Sequence, residues 1–91
     1  MRRATELERA RLNETFVALC EIESPSGHER PFADRVAEEL RRIGLDVVED
    51  DAGPRARADA GNLFARIPGS GSESVMLCAH MDTVPPSAPV A

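Results

Sequence analysis

The chain has 91 residues and a formal net charge of −5, with 42% hydrophobic and 30% charged residues. That length bounds it to one small domain or part of one, and its arginines lie scattered among acids, whereas a nucleic-acid or anionic-membrane surface wants clustered positive charge. Lysine is absent and the aromatics are all Phe, so a core has to be built mainly from Leu, Val, Ile and Ala.

The start, Met1-Arg2-Arg3-Ala4-Thr5, carries basic residues but no apolar stretch behind them, which argues against a secretory signal and leaves the cytoplasm as the expected compartment. No hydrophobic run approaches the roughly 20 residues that cross a bilayer. Leu12, Phe16, Leu19 and Cys20 then fall on one helical stripe, which Leu7 extends a turn earlier, with Arg9, Arg11, Asn13 and Glu14 largely off it. The turn formers Ser24-Pro25-Ser26-Gly27 end this first helix.

A second helix follows. Ser26 and Glu29 have capping-box spacing, while a start nearer Arg30 with Pro31 in the first position is the competing reading. Phe32, Ala33, Val36, Ala37, Leu40 and Ile43 make a wide apolar face, Glu38 and Arg42 stand four apart in the favourable order, and Gly44 is placed to end the helix. Residues 45–48 read as a short strand before the acidic turn Glu49-Asp50-Asp51, which the charge run marks as solvated. Residues 52–60 read as a polar surface loop, 62–67 as a second strand stopped by Pro68-Gly69-Ser70-Gly71-Ser72, and 75–81 as a third. The unbroken apolar run Val75-Met76-Leu77-Cys78-Ala79 predicts burial of that strand on both faces. Two helices on the first strands of a sheet is an α/β arrangement. The tail, 83–91, reads as a loop. A buried strand this near it needs neighbours that the sequence does not supply, so the chain reads as unfinished.

The chemistry concentrates at the end of the third expected strand. Alternation places His80 and Asp82 on one face, just beyond a strand's carboxyl end, where open α/β sheets hold their ligand sites. A metal-bound imidazole usually donates its second N–H to a carboxylate, and Asp82 is placed to be that carboxylate. The bland alternatives are a His satisfied at a strand end and an Asp capping the following turn. Cys78 shares the face but reads as a small buried hydrophobe, as does Cys20 on its helix stripe. The two read as reduced, a single disulfide being the alternative. His28 reads as a helix-start residue. Ser24 and Ser26 lie in no Gly-x-Ser-x-Gly elbow, and the Gly-Ser-Gly-Ser run lacks the lysine of a phosphate loop.

Three stretches together, Ile22-Glu23-Ser24-Pro25-Ser26-Gly27-His28-Glu29, Gly61-Asn62-Leu63-Phe64-Ala65 and His80-Met81-Asp82-Thr83-Val84-Pro85, resemble the zinc-dependent family of peptidase T, carboxypeptidase G, aminoacylase, acetylornithine deacetylase and succinyl-diaminopimelate desuccinylase. The wording of the last two looks most like the peptidase T branch. The resemblance implies that residues 1–91 are the incomplete N-terminal part of a catalytic domain with a mixed sheet between helices and two zinc ions. His80 matches the first zinc ligand and Asp82 the catalytic-site acid that orients it. It implies hydrolysis of amide bonds in small peptides by zinc-activated water, with aminopeptidase action the first expectation and N-acyl amino acid deacylation the runner-up. The complete protein is expected to be able to form a homodimer and to need no nucleic acid or membrane. The bridging Asp, Glu-Glu pair and distal His of the family have no counterparts after Asp82. These residues alone are therefore expected to be inactive, and a truncated, catalytically inert product is the alternative from another class.

Overall fold

A computed structural model of the chain describes residues 2–83. Its elements are, in order, α1 (Glu6–Cys20), α2 (Arg30–Arg42), β1 (Val47–Glu49), α3 (Ala52–Arg55) and β2 (Leu63–Ala65). The mixed helix and strand content agrees with the expected class. Most of the expected tail loop, including Pro85 and Pro86, lies outside the described residues.

Helix α1 is begun by a device that apolar periodicity does not reveal. Thr5 Oγ1 accepts from the Glu8 amide at 3.1 Å and the Glu8 carboxylate accepts from the Thr5 amide at 2.9 Å, so two N-terminal donors are satisfied reciprocally. Arg2 adds a bidentate pair to the same carboxylate at 2.6 and 2.8 Å, and these bonds hold Glu8 down at about 2. Yet no residue of α1 is buried, and Leu7, Leu12 and Phe16 of the expected stripe are exposed. The helix stands on local hydrogen bonds, not on packing.

Helix α2 is where the small core forms. It starts at Arg30 with Pro31 in its first turn, which decides between the two expected starts. The Glu29 carboxylate instead accepts from the Gly27 amide at 2.6 Å, so Ser26 takes no part in a capping box. At the other end Leu45 donates to the Leu40 carbonyl at 3.1 Å and Gly44 to Arg41 at 3.0 Å. This closure needs a left-handed residue, and Gly44 supplies it with φ of 96°. Glu38 and Arg42 pair at 3.2 Å as their spacing predicts. Ala33 and Ala37 are buried, together with Ala60, and these small side chains let α2 lie close against β1 and β2. Phe32, Val36 and Leu40 are half-buried, and Ile43 is exposed.

Strands β1 and β2 pair antiparallel, with Val47 opposite Ala65, Val48 opposite Phe64 and Glu49 opposite Leu63. The connection is more ordered than the expected polar loop, because it contains α3 and buries Gly53, Ala60 and Gly61. The acidic turn is solvent-facing as expected, with Glu49 and Asp51 exposed, but Asp50 is also bonded into the connection. Asp50 accepts from the Asn62 amide at 2.7 Å, from Asn62 Nδ2 at 2.9 Å and from the Ala52 amide at 3.1 Å, while its own amide donates to the Asn62 carbonyl at 3.0 Å. These donors lower the Asp50 pKa. A Cβ on Gly61 would run into the Asp50 carbonyl, so the tight closure of this connection requires glycine there.

The expected third strand is absent. Residues 75–81 form no ladder, and Val75 and Leu77 are 87% and 92% exposed. An apolar run with β propensity becomes a buried strand only where a neighbour supplies hydrogen bonds and cover, and neither edge of the β1–β2 pair does so here. Among the described residues the sheet is a two-stranded antiparallel pair. Both cysteines are free, as expected, but exposed, so reading them as buried hydrophobes is corrected. Cys78 shares the fate of the unformed strand, and Cys20 that of the unpacked α1 stripe. Among the described residues no helix is long and apolar enough to cross a membrane.

Candidate metal-ligand site

His80 and Asp82 come together despite the missing strand. His80 Nδ1 lies 3.4 Å from Asp82 Oδ1, with the imidazole 93% exposed and the carboxylate partly covered. The spacing of two residues in extended backbone is enough to bring the two side chains to one side. An acid beside Nδ1 leaves Nε2 as the nitrogen open to a ligand, and metal-bound imidazoles usually carry such a supporting partner on their other nitrogen.

The donor chemistry therefore fits one corner of a zinc site: a nitrogen ligand with an oxygen partner behind it. It does not fit a whole site, since a catalytic zinc takes about three protein ligands and keeps one position for water. Among the described residues no three His, Cys, Asp or Glu side chains are grouped to hold a metal ion. His28 is exposed and belongs to the turn before α2, its amide donating to the Pro25 carbonyl at 2.9 Å. Neither half of the His80–Asp82 pair lines the shallow groove along α1 formed by Asn13, Glu14, Val17, Ala18 and Glu21.

One tie connects the pair to the folded part of the chain. The Thr83 amide donates to the Ser24 carbonyl at 2.7 Å, and Thr83 Oγ1 reaches the same oxygen at 3.4 Å. Pro25 and Thr83 thereby form an isolated parallel bridge. Ser24, read from the sequence as turn chemistry, is 1% exposed, and its hydroxyl makes no hydrogen bond. No motif singles out this contact, because it joins residues 59 positions apart.

A second cluster lies around Arg30. Its guanidinium bonds both Glu49 oxygens at 2.8 and 2.6 Å and Asp34 at 2.9 Å, and its amide donates to Asp59 at 2.8 Å. Glu49 also accepts from the Gly61 amide at 3.1 Å. The Arg30 guanidinium, then that amide, hold Glu49 down at about 2. Every group is satisfied by another, so this cluster is a brace between α2 and the strand pair.

The chain is similar over part of its length to several known proteins. The chain is 40% identical over 76 residues to a probable carboxypeptidase of Aspergillus terreus, covering 78% of this chain and 18% of that protein. It is 37% identical over 67 residues to the succinyl-diaminopimelate desuccinylase of Corynebacterium glutamicum, covering 74% and 16%. It is 34% identical over 77 residues to the uncharacterized protein YqjE of Bacillus subtilis, covering 84% and 21%. The chain spans about a fifth of the length of the curated relatives it matches. No family model matches the chain. No solved structure matches it either.

Proposed function

We propose that this chain is the N-terminal, metal-ligand-bearing part of a zinc-dependent hydrolase that cleaves amide bonds, of the carboxypeptidase and desuccinylase kind. The observation that carries the reading is the His80–Asp82 pair, an exposed imidazole with an acid 3.4 Å behind its Nδ1. The names of the relatives support the reaction class: one is called a probable carboxypeptidase and another a desuccinylase. Both names describe hydrolysis at a carbonyl–nitrogen bond. Neither is a peptidase T, so that branch has only the wording of the Asn62 and His80 segments behind it.

In this reading His80 binds zinc through Nε2, and Asp82 holds the ring and raises the basicity of the ligating nitrogen. Zinc, when bound, supplies a Lewis acid for the carbonyl and lowers the pKa of water. The further ligands and the proton-transfer group come from other parts of a longer protein. The 91 residues alone do not turn over substrate. The substrate is a small peptide or an N-acyl amino acid.

The test is made in a longer protein that contains this chain. Metal content and hydrolysis are measured on peptides with free C-termini and on N-succinyl amino acids. His80→Ala is expected to remove both bound zinc and activity, and Asp82→Asn to weaken zinc binding about 10- to 100-fold, as loss of a ligand's supporting partner does. A His80→Ala protein that keeps full zinc and full turnover would sink the assignment. Zinc-dependent turnover by the purified 91 residues would overturn the claim that the rest of the site lies elsewhere.

A further inference from the structure

We propose that Ser24 is a positioning residue for the His80–Asp82 pair, acting through Thr83; the inference builds on the proposed metal-ligand role of that pair. Residues 67–82 make no hydrogen bond to the rest of the described chain. Ile67, Val75, Met76 and Leu77 are exposed and only Met81, between His80 and Asp82, is half-buried, so packing along the segment is slight. The bonds from Thr83 to the Ser24 carbonyl are the point at which this segment meets the fold again.

The Ser24 end of that contact adjoins a hydrogen-bonded turn. Its turn is closed by His28 donating to Pro25, and Gly27 is held from both sides, its amide on the Glu29 carboxylate and its carbonyl on the Asp59 amide at 3.1 Å. Asp59 in turn caps the first amide of α2. Hydrogen bonds thus run from the brace around Arg30 through Asp59 to Gly27, three residues along the turn from Ser24, and the Ser24 carbonyl in turn accepts from Thr83, the residue beside Asp82. Fixing the Thr83 amide orients the peptide that joins it to Asp82, and with it the direction of the Asp82 side chain. The carboxylate then meets Nδ1 of His80 and leaves Nε2 for a ligand. Ser24 is small and fully enclosed, so a larger side chain there overfills the site and shifts the backbone that carries the accepting carbonyl. Its hydroxyl has no partner, so the carbonyl carries the function.

This makes the substitutions asymmetric. Ser24→Ala keeps the carbonyl and the small volume, and Thr83→Val keeps the amide donor; both leave the pair in register. Ser24→Leu overfills the site, and Thr83→Pro deletes the donor; both release it. The readout is the tautomer of His80 in the histidine-labelled 91-residue chain, followed by nitrogen NMR with His28 as the internal reference and Asp82→Ala as the unheld standard. The wild type, Ser24→Ala and Thr83→Val should show a Nδ1–H share above that standard. Ser24→Leu and Thr83→Pro should fall to it while the amide signals of α2 and the β1–β2 pair stay in place.

Zinc ion alone, added to each, should perturb the His80 ring at lower concentration in the first group. The proposal is overturned if Ser24→Leu and Thr83→Pro keep the wild-type tautomer, or if the wild type already matches Asp82→Ala. A tautomer pattern as expected with no response to zinc would support the positioning role and count against the metal-ligand reading. Should Thr83→Pro disturb the fold, Ser24→Leu carries the same comparison from the other side of the contact.

Discussion

Residues 24–65 and residues 67–82 are held in opposite ways. In the first region almost every polar group near the α2–hairpin junction has a named partner: Arg30 with Glu49, Asp34 and Asp59, and Asp50 with Asn62 and Ala52. In the second, most apolar side chains lie in solvent, Met81 being half-buried, and among the described residues the backbone is tied at its far end, through Thr83. The first region has the hydrogen bonds and the second has the ligating chemistry. The comparison teaches that a candidate site can be assembled by two side chains at i and i+2 without the strand that normally presents them. Such a site inherits its placement from a distant contact, not from its own secondary structure.

The largest way to break the first region is at Gly61, where a Cβ meets the Asp50 carbonyl. Gly61→Ala is expected to cost about 2–3 kcal/mol in urea unfolding, the scale of overfilling a tight site, and to leave residues 67–82 as exposed as before. A smaller loss follows from the Arg30–Glu49 brace. Glu49→Gln removes one charge from a bidentate pair that is about a third exposed, so the cost, discounted for screening by solvent, is about 1 kcal/mol.

The same pair makes a pH prediction whose sign is fixed by its direction. Glu49 titrates at about 2 in the fold against an ordinary value of 4.5. Its stabilisation is complete above 4.5 and drains as pH falls from there towards 2. The wild-type urea midpoint should approach that of Glu49→Gln over this window. A constant gap between the two down to pH 2 would show that the carboxylate is not the linked group. The smallest effect belongs to Thr5→Ala, which opens the α1 cap. Circular dichroism should lose helix from the first turn of α1 alone, since none of that helix is buried against the rest.

What the sequence made legible follows the locality of each signal. Helix α2 could be read at both ends because Pro31 and Gly44 act through their own backbone, and the i, i+4 pair of Glu38 and Arg42 is equally local. The cap of α1 was also present as Thr5-Glu6-Leu7-Glu8, although the apolar stripe of that helix is a weaker guide, having nothing to pack on. Val75-Met76-Leu77-Cys78-Ala79 shows the limit. Its composition suits a buried strand, but burial depends on a neighbour that an apolar run cannot specify. The acids Glu49 and Asp50 show the same limit: their exposure could be read from the charge run, but their partners Arg30 and Asn62 could not, because these lie elsewhere in the sequence. His80 and Asp82 were readable as a pair because their proximity needs only extended backbone; their tether to Ser24 was not, because it spans 59 positions.

The span between Ala65 and Thr83 can also be considered as a polymer. Treated as a flexible chain, those 18 steps have a root-mean-square reach of roughly 23 Å, and a tether of that length presents its end to its target at an effective concentration on the order of millimolar. Two modest hydrogen bonds at Ser24 therefore act against a search volume that is already small, and each doubling of the tether would add only about 0.6 kcal/mol of closure entropy. Closure and capture are also reciprocal: anything that prefers the His80–Asp82 pair in its held geometry tightens Thr83 onto Ser24 by the same factor. A ligand at one end of the tether is thus felt as adhesion at its anchor.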